Sequence, residues 1–544
     1  MAHWRQGLKG VYMNRVARFF ERELRDLGLY DEVSRLCAFV GDIHNHCGIS
    51  YGYGRIEDAV AFASQQLDFF SVTGHFAWPD MVDDPDMRVP EDVQNYHREG
   101  FRKLRRNWPH YKSVMDGCAS ASFIPFYSYE YHGFTTGDYT ILCRNLGEDL
   151  PPEVADGVRD DRLDKLLAGG LDQQDRFLCT PHHIGYKKGY RGIDWDRFNP
   201  YVSPLVEIIS MHGCAESFDA RQKYLHTMGP RSGENTYQGG LARGLHFGVV
   251  GSTDHHNAAP GSYGYGRTVL FAEELTRDDV WNALRDRATC AASGDPVEAM
   301  LFVNGVRSGH VAPAHQGKLV IDSFVSAYDG LDVVEIVQDG KVIASQHVFP
   351  ELPERRGTVS FMFGWGKKHK PAEWDIKINV EGGRLLAHSP RLRGIDMVDP
   401  LDVPEDGSKM LPTYEVEGDS IHLHVFTNGN PTAVTDCTQG FVVELEGDDD
   451  SIITLDVKVG WDGCESVRSY AIPLSLLDGQ EFTDYVSGFV SPSLEIGQFR
   501  NIGTTLSHIH AEVETESQGA VYLRCYQKNG DSLFTSPVSF VEVK

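Results

Sequence analysis

The chain has 544 residues, 41% hydrophobic and 24% charged, which is enough for two to four globular domains and unlike a disordered or fibrous sequence. A formal net charge of −27 repels phosphate backbones and anionic lipid, so nucleic acid and membrane surfaces are excluded as expected partners. The ten cysteines are scattered without a CxxC, no apolar run can span a bilayer, and MAHWRQGLKGVYMNRV lacks a signal-peptide core. A reduced, cytoplasmic protein acting on a small molecule is expected.

Residues 1–37 read as an N-terminal helical segment, because Val16, Phe19, Phe20, Leu24 and Leu27 recur at helical spacing among mixed charges. Capping of the next domain suits it better than membrane anchoring. From 38 to 295 short apolar runs alternate with helical patterns. The runs are AFVGDIH (38–44), LDFFSVTGH (67–75), FIPFYSYE (123–130), FLCTPHH (177–183), LVEIIS (205–210) and FGVVGSTDH (247–255), and each carries His, Asp or Glu towards its C-terminal end. Strands alternating with helices predict a parallel sheet, and a closed barrel would gather those polar ends at one mouth. A helix over 276–287, opened by Thr276 and Asp279 as a capping box, is expected to close this unit.

From Val297 the texture turns to short β-type segments. A β-rich module is expected over 296–400, then a Pro- and Asp-rich linker (396–412), then a second, sandwich-like module over 401–544. Covering the barrel mouth, supplying a substrate loop and mediating homo-oligomer formation are all open roles for this half. The run Asp448-Asp449-Asp450 reads as a solvated turn.

Transition metals need imidazoles and carboxylates converging from rigid elements. In an extended backbone, residues two apart share a face, so His44 and His46 can address one cavity, as can Asp254 and His256 while His255 points away. An isolated HxH would be weak evidence. Here it is followed by His75, Glu130, His182 and Asp254-His255-His256, which makes a metal site the stronger reading.

Five segments in order, GDIHNHCGIS (41–50), SVTGH (71–75), IPFYSYE (124–130), TPHH (180–183) and GSTDHH (251–256), resemble the PHP (polymerase and histidinol phosphatase) superfamily of metal-dependent hydrolases. The resemblance extends more weakly to a bacterial branch of unassigned function with β-rich C-terminal modules. It implies an α/β fold, a distorted (β/α)7 barrel, holding two divalent ions, or three, of manganese, zinc or iron. By motif, His44, His46 and Asp254 would hold one ion, Glu130 would bridge to a second held by His182, and His75 and His256 would serve a third. Asp138 stands where relatives carry a histidine, which would favour harder ions. Tyr51 or Gly52 stands where a further ligand is usual, which makes two ions safer than three.

The implied activity is hydrolysis by a metal-bridging hydroxide, with a phosphoester as the first substrate. His256, Asp254 and Glu130 would be the catalytic groups. Amide, lactone or ester hydrolysis by the same site is the alternative, and a non-catalytic sugar- or protein-binding module is the other class. Lys187, Lys188, Arg191 and Arg267 are candidate substrate contacts. His132, His183, His212 and Glu207 are expected to support the ligands by hydrogen bonding.

Overall fold

The computed structural model describes residues 14–81, 89–152, 162–169, 175–222, 230–348, 355–364, 371–394, 410–428, 437–486 and 491–541. The first half forms β1 (Cys37–Asp42), β2 (Phe69–Ala77), β3 (Ile124–Tyr131), β4 (Asp138–Cys143), β5 (Phe177–His182), β6 (Leu205–Ser210), β7 (Gly213–Cys214), β8 (Gly248–Gly251), β9 (Gly266–Ala272) and β10 (Thr289–Ser293), of which β1, β2, β3, β5, β6 and β8 fall on the six apolar runs. β1, β2 and β3 pair in parallel, but β3–β4, β4–β5, β1–β9 and β9–β10 are antiparallel. The expected parallel sheet is therefore a mixed one. The six residues between β3 and β4 are too few for a helical crossover, so the chain must reverse.

β6 pairs with β7 and, in parallel, with β8 in a separate three-stranded sheet. That sheet lies against β5 on one side and β10 on the other, and no continuous ladder closes into a barrel among the described residues.

Helix Arg277–Arg285 starts as the capping box predicts: the Thr276 hydroxyl accepts from Asp279 N–H at 3.1 Å and donates to the Asp279 carboxylate at 2.6 Å. The 28-residue helix Glu91–Cys118 is not evident from its charge-rich sequence. Its buried stripe of Gly100, Leu104, Trp108, Tyr111 and Met115 holds it against β2 and β3. Gly100 is required there, because a Cβ would fall 2.3 Å from the Tyr51 ring.

The N-terminal segment is three short helices, Arg15–Phe19, Glu21–Asp26 and Tyr30–Val33, rather than one. Phe20 leaves helical geometry (ψ 27°) and Gly28 takes φ +73°, which breaks the continuity. Val16, Phe20 and Leu24 are buried in a core shared with strands 298–303 and 318–326, whereas Leu27 is exposed.

Strands 331–338, 341–347, 521–527 and 532–535 continue the ladder of β1–β5, β9 and β10 into an eleven-stranded sheet that runs across the boundaries expected near 296 and 401. Two further sheets, centred on strands 356–364 and 372–381, share one core around Phe361, Trp374 and Phe441. Strand 372–381 alternates strictly, with Trp374, Ile376 and Ile378 buried and Glu373, Asp375 and Lys377 exposed. Most of the expected linker, residues 396–409, lies outside the described residues. Asp448, Asp449 and Asp450 occupy an exposed turn.

Candidate metal centre

Strand register brings the site together. His75 on β2 is opposite Glu130 on β3, and Asp138 at the start of β4 is opposite His182 at the end of β5. Because β4 runs backwards, its N-terminal end joins the C-terminal ends of its neighbours. Two loops complete the cluster. The one after β1 carries His44 and His46, the one after β8 carries Asp254 and His256, and backbone hydrogen bonds of 2.8 Å link Asp254 N–H to His44 O and His46 N–H to His255 O.

Asp42 fastens both loops: its buried carboxylate accepts from the N–H groups of His44, Thr253 and Gly261 and from the Thr253 hydroxyl. Asp254 is at φ +54° and His183 at φ +56°, a left-handed backbone that L-residues adopt at a cost. The shared face of Asp254 and His256 thus arises from a strained turn beyond β8, not from an extended strand.

Around this frame His46 Nε2 lies 3.2 Å from His44 Nε2 and 3.1 Å from Asp254 Oδ1. Glu130 Oε1 meets His182 Nε2 and His132 Nδ1, both at 3.0 Å. Glu130 Oε2 is buried with no hydrogen-bond partner, and His75, His46 and His44 present Nε2 to it at 3.5, 3.6 and 4.0 Å. His183 bridges Asp138 (2.9 Å) and Asp254 (3.0 Å), and His212 Nε2 is 3.2 Å from Asp254 Oδ2.

These donors fit divalent ions. His46 Nδ1 meets the Thr73 carbonyl at 2.6 Å and His256 Nδ1 the Asp254 carbonyl at 2.8 Å. A carbonyl only accepts, so each Nδ1 carries the proton and each Nε2 offers a lone pair. An unpartnered carboxylate oxygen in a buried pocket, faced by imidazole nitrogens, is an arrangement that a divalent cation between them would satisfy. Five triads have ligand atoms within 4.8 Å of one another: His46-His75-His256, His44-His46-Glu130, His75-Glu130-His132, Asp138-His182-His183 and His183-His212-Asp254.

Protonation follows the same geometry. Burial opposes charge on Glu130, yet His132 and His182 hold its carboxyl well below the usual range. Burial likewise opposes charge on His44, but Glu207 and Asp254 outweigh it and raise the imidazole to about 10. Burial and then His46 push His256 down to about 3, and burial followed by His44 and His183 does the same to His182.

The structure brings His44, His46, His75, Glu130, Asp138, His182, Asp254 and His256 into this one cluster. Glu207 lies behind it, 2.9 Å from His44 Nδ1. His132, His183 and His212, expected as supporting groups, are themselves members of triads that could hold an ion. The sequence signal was available: His183 is inside TPHH, His132 is two residues beyond IPFYSYE, and His212 is two residues beyond the apolar run LVEIIS.

Arg191 is buried at φ +67° with its guanidinium 2.5 Å from Asp138. Lys188 is exposed and paired with Asp194 and Asp196, and Lys187 is exposed. Arg267 is spent on the Gly261 carbonyl and on Gln66, which makes it a brace for a turn. Asp42 was not singled out from sequence, and Tyr51, read there only as standing where a further ligand is usual, stacks its ring on His75 and places its hydroxyl 2.5 Å from His132 Nε2.

No protein-family model matches the chain. Two uncharacterised proteins, from Chlamydia trachomatis and Chlamydia muridarum, are each 25% identical over 172 and 168 residues. Those stretches are 29% and 28% of this chain, and the chain spans little more than a quarter of the relatives' length, 28% and 27%. Among solved structures, a two-domain protein from Bacteroides vulgatus, described as containing a predicted PHP-like metal-dependent phosphoesterase, matches 80% of this chain and 96% of its own. The identity is 12% and the TM-score 0.30.

Proposed function

We propose that the protein is a metal-dependent hydrolase of PHP type acting on a small anionic phosphoester. The observation that carries this reading is the buried Glu130 carboxylate, with one oxygen unpartnered and three histidine Nε2 atoms facing it. Divalent ions held there would activate water and offset charge developing on the substrate. His44, His46, His75, Glu130, His182 and Asp254 would hold them, joined by His132, His183 and His212.

The chain's own residues supply the rest. Arg191 fixes a positive charge beside the cluster, suited to an anionic group. His256 is the most open imidazole of the cluster, with a side chain 16% exposed, which suits it to meet a substrate arriving from solvent. Retaining so many buried ionisable groups without a ligand would be costly, which weighs against a purely structural module.

The test is to reconstitute the purified chain with manganese or zinc and assay phosphomonoesters, phosphodiesters, amides and lactones. Phosphoester turnover that disappears in His44→Ala and Asp254→Ala is expected. Turnover of amides or lactones alone would overturn the choice of substrate, and failure to take up metal would overturn the whole reading.

A further inference from the structure

Away from the metal cluster, a cleft of about 690 Å³ opens between strand 356–364, strand 493–496, the turn at 528–531 and the Tyr263–Gly264 corner. That is the size of a site for a small organic ligand. Its walls are unlike a leftover packing void. Thr358, Ser360, Thr438 and Ser493 contribute hydroxyl-bearing residues to the lining, and Met362 and Val442 are its aliphatic side chains.

Charge in the cleft is balanced. Arg391, Arg393, Arg500 and Lys528 supply four cations. Asp329, Glu481, Glu495 and Asp531 supply four carboxylates. A polyanion would gain nothing net from such a wall, and an apolar ligand would strand its polar groups.

The polar groups are also held in place. Arg391, 3% exposed, is clamped by both oxygens of Asp295 at 3.1 and 2.6 Å. Asp531, also buried, accepts from the Tyr263 hydroxyl at 2.7 Å and from Asn529 Nδ2 at 3.0 Å. Donors and acceptors held together in one lining suit a ligand whose groups each donate and accept, which is the chemistry of a sugar hydroxyl.

We infer that this cleft is a binding site for a neutral carbohydrate of about two sugar units. Its floor belongs to the same loop as the metal centre: Tyr263 N–H donates to Leu392 O at 2.8 Å and Gly394 N–H to Ser262 Oγ at 2.9 Å, a few residues after Asp254 and His256. The carbohydrate site stands whether or not the metal centre hydrolyses anything.

Calorimetric titration of the full chain with maltose, cellobiose, xylobiose and diacetylchitobiose tests it, with inositol hexakisphosphate as a polyanion control. Binding of at least one disaccharide at one site per chain is expected. It should weaken about tenfold or more in Met362→Trp, which fills the cleft, and weaken measurably in Lys528→Ala, an exposed position whose replacement leaves the fold intact. Melting temperature and metal content should match the parent protein. No binding by any disaccharide, binding by the polyanion alone, or unchanged affinity in both variants would each overturn the assignment.

Discussion

Glu207 Oε2 lies 2.9 Å from His44 Nδ1, with both side chains buried and the other Glu207 oxygen unpartnered. A carboxylate behind an imidazole fixes its orientation and leaves Nε2 free towards the cluster. Glu207→Gln is expected to lower metal affinity about 10- to 100-fold while the fold persists, because the amide keeps the volume but loses the charge. Competition with a chromophoric chelator measures this. Unchanged affinity would show that His44 needs no such support.

Arg191 and Lys188 are three residues apart in sequence but differ in what they face. Arg191 is buried against Asp138, whereas Lys188 is held at the surface by Asp194 and Asp196. For an anionic substrate, Arg191→Gln should raise KM about tenfold or more, and Lys188→Ala should change it less than about twofold. Steady-state kinetics of the two variants side by side decide the matter. Equal effects would remove Arg191 from the substrate pocket.

Glu298 is the clearest source of pH-dependent stability. Burial raises its carboxyl to about 7 despite Arg15 beside it. Its folded pKa exceeds the usual 4.5, so its contribution is complete below about pH 4.5 and is lost as pH rises through about 7. Glu298→Gln cannot ionise. Relative to the parent chain it should therefore gain stability between pH 5 and 8, by up to about 3 kcal/mol. Thermal melts across that range would show the difference, and a pH-independent offset would contradict it.

Several elements are legible in the sequence for identifiable reasons. The helix after Thr276 follows from its cap and stripe, and strands β1, β2, β3, β5, β6 and β8 follow from apolar runs bounded by polar ends. The long helix Glu91–Cys118 hides because its buried residues are thinly spread among charges and interrupted by Pro109. The reversal at β4 hides because DYTILC reads equally as a parallel or an antiparallel strand until its partner is known. Lys188 and Arg191 sit in one basic loop, and the structure buries only Arg191 of the two, at a left-handed backbone position beside Asp138.

Local chemistry in the sequence was sufficient to single out imidazoles and acids placed at strand ends, because that choice depends on residue type and short-range spacing. Which of them meet was decided by the tertiary structure. Ladder register sets His75 against Glu130, and the buried carboxylate of Asp42 ties two loops that are over two hundred residues apart. Such closure depends on contacts between distant segments, whose energies no window of neighbouring residues contains.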